Sequence, residues 1–215
     1  EMNLARVEHY FSDLLSLLET QKWEDGQIRT QPLLSEEALT AVEDQEKYAG
    51  LHVPENVYLI GTVNMDETTH PFSKKVLDRA NTIEFNYINL NQFPDVEEAG
   101  TEPLLVHQAF LRSDYLQLVD GYEEYTVLIK ATTEKLVEVN QILASVHAHV
   151  GFRIRDAVCF YMIYNDRFQL LSEQDAFDLQ LLQKILPRIQ GSLFAVKKVL
   201  LQLLQFCLID KFSMN

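Results

Sequence analysis

At 215 residues the chain is long enough for one large domain or two small ones, each with a core of its own. Its 18 Lys+Arg against 32 Asp+Glu give a formal net charge of −14, which excludes a histone-like or polybasic protein and requires local basic sites wherever nucleic acid is touched. Apolar residues at 47% and charged residues at 23% place it among chains that fold, away from those that stay disordered.

The two cysteines, Cys159 and Cys207, both lie in apolar helical stretches. That usage predicts a reducing, cytoplasmic compartment and no disulfide framework. No apolar run reaches the ~20 residues that cross a bilayer; the richest, Val199 to Ile209, is interrupted by Gln202 and Gln205. The opening Glu1-Met2-Asn3 is unlike a natural start and predicts a fragment of a longer protein.

In chain order, Val7, Phe11, Leu14, Leu15 and Leu18 make the stripe of an amphipathic helix over 4–18. Asp25-Gly26 is a two-residue turn signal inside Gln21 to Arg29 and predicts a small hairpin. The polar, acidic stretch 30–56 reads as an excursion with a helical turn near Glu36 to Val42. Val57-Tyr58-Leu59-Ile60-Gly61-Thr62-Val63 is an almost unbroken apolar run, the pattern of a strand buried on both faces of a parallel sheet. A short helix over Lys74 to Arg79 and an alternating strand over Thr82 to Ile88 follow.

The texture then changes. A Pro/Gly/acid-rich linker over 91–103 separates a first part, 1–90, from a helical part, 104–215. In the latter, Leu136 to Val146, the stretch after Gly151 through Met162, Phe177 to Pro187, and Val196 to Leu204 predict four helices packed as a small bundle.

Polar residues just past the end of a buried parallel strand sit where open α/β sheets bind ligands, which singles out 61–67. Arg79 closes the next helix, where a cation also complements the helix dipole. Taken together, Glu1-Met2-Asn3-Leu4-Ala5-Arg6, Gly61-Thr62-Val63-Asn64-Met65-Asp66 and Val76-Leu77-Asp78-Arg79 leading to Ile83-Glu84-Phe85 resemble consecutive elements of an AAA+ NTPase of the McrB type, the motor class of modification-dependent restriction systems. The resemblance covers residues 1 to about 88 and continues loosely beyond. It implies an α/β fold, the C-terminal half of an AAA+ parallel-sheet core followed by an all-α helical lid domain. Glu1 would be the Walker B glutamate that polarises the attacking water, and Asn64 the sensor 1 residue that holds that water or the terminal phosphate.

By the same resemblance, Asp66 and Glu67 fall at the McrB signature motif, with Glu where Arg is expected, so ATP and GTP both stay open as substrates. Arg79 resembles the arginine finger lent to a neighbouring subunit. Gly151-Phe152-Arg153-Ile154-Arg155-Asp156 resembles the entry to the sensor 2 helix. Arg153 is the first choice there and Arg155 the alternative, because the two lie about 200° apart on a helix. Leu186 to Ser192 also looks family-like and reads as a helix-to-helix turn. A homo-oligomeric, hexameric ring with Mg²⁺ and ATP or GTP bound, a McrC-like nuclease subunit, and DNA contacted through another domain are what the resemblance implies for the intact protein. No Gly-x-x-x-x-Gly-Lys-[Ser/Thr] occurs in the 215 residues, so this chain by itself is expected to be inactive.

Trp23 and its hairpin either meet a translocated substrate or partner, or pack on their own domain. His107, His147 and His149 lack the spacing of a zinc site, and no Gly-x-Ser-x-Gly nucleophile elbow is present. The competing function is an acidic helical adaptor that docks a protein partner and has no catalytic activity.

Overall fold

A computed structural model describes residues 1–64, 68–85, 89–90, 102–103 and 105–212. The chain starts with a 3₁₀ turn, Met2–Leu4, then α1 (Val7–Tyr10) and α2 (Ser12–Leu18). The sequence stripe predicts one helix here; Phe11, at φ −113° and ψ 1°, breaks it into two. Strands β1 (Lys22–Glu24) and β2 (Gln27–Arg29) pair antiparallel with Trp23 opposite Ile28. Their turn residues Asp25 (φ 50°) and Gly26 (φ 75°) both take the left-handed region, the geometry that matches a tight turn to the strands' twist. A short 3₁₀ turn (Glu36–Ala38), α3 (Val42–Tyr48), α4 (Lys74–Leu77) and α5 (Gln108–Leu111) complete the loosely built part.

The remainder is a helical bundle. After a 3₁₀ turn at Leu118–Gly121 come α6 (Thr126–Leu143), a 3₁₀ turn (Ala144–Val146), α7 (Phe152–Phe168) and α8 (Glu173–Gln180). A π turn (Leu181–Ile185) and a 3₁₀ turn (Leu186–Arg188) lead into α9 (Leu193–Phe212). On α6, Leu136, Val139 and Leu143 are buried at helical spacing and pack with Ile154, Val158 and Met162 of α7, Phe177 of α8, Ile185, and Val199 and Leu203 of α9, while Ile129 packs in a second cluster with Leu118, Cys159 and Ile163. Two asparagines replace absent backbone partners at the corners. Asn140 accepts from Val150 N at 2.7 Å and donates to Val150 O at 3.1 Å; Asn165 does the same with Leu171 at 2.9 and 3.0 Å. Ser172 caps α8 by accepting from Asp175 N.

The structure corrects the expected fold class. Among the described residues the only sheet is the β1–β2 hairpin, so neither a parallel-sheet AAA+ core nor a lid following such a core is present. Residues 57–63 form no ladder, and Ile60 is 93% exposed. The apolar run recorded the capacity to be buried on both faces, but a strand also needs hydrogen-bonding neighbours at both edges. Met2 N donating to Thr62 O at 2.9 Å is the backbone bond the run makes to the chain's first residues. Residues 82–85 likewise form no strand, and the rest of that expected strand, with most of the 91–103 linker, lies outside the described residues.

Candidate functional site

Backbone and side-chain bonds tie the first residues to the end of the 57–64 segment and to His70 beyond it. Besides Met2 N to Thr62 O, Asn3 Nδ2 donates to Asn64 O at 2.7 Å, and His70 N donates to Asn3 O at 2.9 Å. Asn64 Nδ2 donates to Glu1 Oε1 at 2.6 Å. Thr69 Oγ1 adds a bond to Asn64 O at 2.7 Å. The Asn64 backbone is thus held from two sides while its side chain and the Glu1 carboxylate remain at the surface. Asn3, fully buried, is a residue that motif reasoning passed over; an asparagine between two apolar neighbours at the chain's first turn was the available signal.

The expected cations gather elsewhere. Arg79 turns back on its own helix, with Nη1 donating to Lys75 O at 2.5 Å and Nη2 2.5 Å from Glu19 Oε1. Arg153, in the first turn of α7, places Nη2 2.6 Å from the same Glu19 oxygen and Nη1 3.8 Å from Asp78 Oδ2. One carboxylate oxygen therefore holds two guanidinium groups. Arg155 takes no part: it pairs with its neighbour Asp156 at 2.6 Å and lies over the Phe152 ring. Among the described residues no hydrogen bond or ion pair joins Glu1 or Asn64 to Arg79 or Arg153. Asp66 and Glu67 lie outside the described residues.

A third group was not expected at all. The Leu186–Arg188 turn, read from sequence as a simple connection, sends the Arg188 guanidinium onto Asp78 Oδ1, with the Arg188 side chain only 4% exposed. One turn earlier, buried Lys184 donates Nζ to Ala80 O at 2.8 Å. Burial pushes the Lys184 ammonium down to about 8, against the opposing pull of Asp78 and with a smaller push from Arg188. The Cys159 thiol is pushed up by burial, which marks it as core.

The hairpin is gripped by the same part of the chain that follows the linker. Arg112 stacks over Trp23 with its guanidinium carbon 5.0 Å from the ring centroid, pairs through Nε with Glu55 Oε2 at 3.1 Å, and donates to Gly26 O. Trp23 is nevertheless 42% exposed, so both of its expected uses keep a surface to work with.

Among the described residues no group of three His, Cys, Asp or Glu is placed to hold a metal ion, and no helix is long and apolar enough to cross a membrane. Compared with known proteins, residues 95–214 match the family described as "Domain of unknown function (DUF8727)". No curated protein and no solved structure matches the chain.

Proposed function

The chain belongs to the DUF8727 family, and we propose that its residues outside the matched region supply the water-activating and sensing groups of a nucleotide-hydrolysing motor, similar in its motifs to McrB-type AAA+ NTPases. The single observation that carries this reading is the 2.6 Å bond from Asn64 Nδ2 to Glu1 Oε1, between two residues 63 positions apart. A carboxylate is the group that takes a proton from an attacking water, and an amide nitrogen has two hydrogens to give. One Asn64 hydrogen fixes the orientation of Glu1, and the second is available to a phosphate oxygen. Asn3 and Thr69, bonded to Asn64 O, hold the pair in register.

The reading rests on these side chains and not on a sheet. The chain has neither a phosphate loop nor a described set of ligands for Mg²⁺, so both must come from other parts of the motor, and no step here passes through the metal. A homo-oligomeric ring, a McrC-like nuclease subunit, DNA contacted through another domain, and a cytoplasmic location belong to the same proposal, with ATP or GTP as the substrate.

The test is Glu1→Gln in the nucleotide-hydrolysing protein that contains this chain. Turnover falls 10²- to 10⁴-fold, the usual worth of a positioned general base, while nucleotide binding persists. Unchanged turnover overturns the assignment.

One observation favours the adaptor reading. An apolar groove of about 250 Å³ runs between α9 and the preceding turns, lined by Leu181, Leu182, Ile185, Leu200, Leu203 and Leu204. In that reading Glu1→Gln changes nothing and the 215-residue chain binds one protein partner stoichiometrically.

A further inference from the structure

Two carboxylates and three guanidinium groups around the end of α4 form one continuous chain of contacts. Arg188 sits on one oxygen of Asp78, and Arg153 approaches the other. Arg153 and Arg79 then share Glu19. Asp78 is the residue directly before Arg79 and closes α4 in helical geometry. Whatever fixes the Asp78 carboxylate therefore fixes the turn from which Arg79 projects, and also one of the two anchors of Arg153.

Arg188 is suited to this task in a way that a surface partner is not. A guanidinium with 4% exposure is held in place by the need for a counter-charge, because removing one member of a buried pair leaves the other unpaired. Its geometry is set by the irregular backbone before it. The π turn at Leu181–Ile185 and the following 3₁₀ turn, with Pro187 inside, bring Lys184 and Arg188 onto the same target. Lys184 Nζ binds Ala80 O, and Gln183 O accepts a longer bond from Thr82 N at 3.4 Å. The bundle thus grips residues 78, 80 and 82 from a single stretch, 183–188.

We propose that Arg188 is a positioning residue for the proposed motor: by clasping Asp78 it sets Arg79 and Arg153, so that the helical bundle and the α4 turn move as one body. The inference rests on the reading under Proposed function for its catalytic consequence, and on the contacts alone for the clasp itself. Arg188 acts through Asp78.

Two measurements separate these levels. In the nucleotide-hydrolysing protein, Arg188→Met lowers kcat by 10-fold or more and leaves KM for nucleotide within threefold, since the phosphate loop that dominates nucleotide capture lies outside the clasp. Arg188→Lys, which keeps the charge but loses the planar fork, recovers part of the loss. Asp78→Asn gives a similar loss, and the Arg188→Met/Asp78→Asn double variant is no worse than the more damaged single one, because both act through one contact. Wild-type kcat in Arg188→Met, or strictly multiplicative losses in the double variant, overturns the positioning role.

The second measurement needs no activity. Hydrogen exchange on the 215-residue chain is expected to quicken about tenfold at the amides of Arg79, Ala80 and Thr82 in Arg188→Met, with α6 amides unchanged. Unchanged exchange at 79–82 overturns the clasp whether or not the protein hydrolyses nucleotide. If Arg188→Met loses protection throughout α6 as well, the same comparison is made with Arg188→Lys, where selective loosening at 79–82 supports the clasp and its absence overturns it. Should Glu1→Gln leave turnover intact while Arg188→Met lowers it, the reading of Glu1 fails and the positioning role stands.

Discussion

The first 85 residues and the bundle from Thr126 onward are held together by different means. In the bundle, Val139, Leu143, Val158, Ala176, Ile185 and Val199 are essentially inaccessible to water and belong to one apolar cluster that joins α6, α7, α8 and α9. In the first part, the buried apolar side chains among the described residues are Val7, Ile28, Val76 and Leu77, whereas Tyr58, Ile60, Ile83 and Phe85 are exposed. Order there comes from polar links: Asn3 to Asn64, Thr30 Oγ1 accepting from Val53 N at 3.1 Å, and Glu55 accepting from Ile28 N at 3.2 Å. Glu1, Asn64 and Arg79 thus sit in the part with the smaller core, and their placement depends on a few directed bonds and on the bundle's grip at Asp78.

The contrast predicts where substitutions bite. Leu143→Ala removes three packed carbons at 0% exposure and is expected to cost about 2–5 kcal/mol, read from urea unfolding. A cost below about 1 kcal/mol would mean that the bundle does not carry the stability.

The junction between the two regions has its own signature. Lys184 is pushed from 10.5 to about 8 in the folded chain, so between those values the unfolded chain binds more protons. Stability therefore rises with pH across that window, by up to about 1.4 kcal/mol per pH unit, and the burden is fully present below pH 8. Lys184→Met removes this rise, which a comparison of unfolding curves from pH 8 to 10 detects. The comparison stops there because Tyr115, raised to about 12 mainly by burial and then by Glu124, titrates in the opposite sense above its ordinary value. Parallel curves for the two proteins would place Lys184 in water.

At the hairpin the effect is smaller. Gly26 has φ 75° and no atom within 4 Å of where a Cβ would stand, so Gly26→Ala probes backbone strain alone. About 1 kcal/mol is expected, with weaker protection at Ile28, whose amide is bonded to Glu55.

How much of this was legible in the sequence follows the same division. Helices α6 and α7 are readable because each buries a stripe within the chain, as the spacing of Leu136, Val139 and Leu143 shows. The Asp25-Gly26 turn is legible because its chemistry is local. The sheet was misread because an apolar run states what a segment can bury and is silent on what stands beside it; Val57 to Val63 has the pattern without the ladder. The motif resemblance pairs Glu1 with Asn64, and the two are in contact. Arg79 and Arg153 were singled out separately, yet both bind Glu19, a residue at the end of α2 that no motif marked. Arg188 was hidden for a further reason: its partner lies 110 residues away, and only the π turn before it directs it there.

The smallest effect is the sharpest test of the contrast. Ile60 is 93% exposed, with no ladder to join, so Ile60→Ser removes a side chain that faces water in the folded and unfolded states alike. The expected change is within about 0.5 kcal/mol, against the 2–5 kcal/mol of Leu143→Ala in the same denaturant series. If Ile60→Ser instead cost as much as the core substitution, residues 57–63 would have to be covered in solution by another surface. The proposed pairing of Glu1 with Asn64, which closes that segment, would then be stabilised by apolar burial as well as by the polar bonds that Asn3 and Thr69 provide.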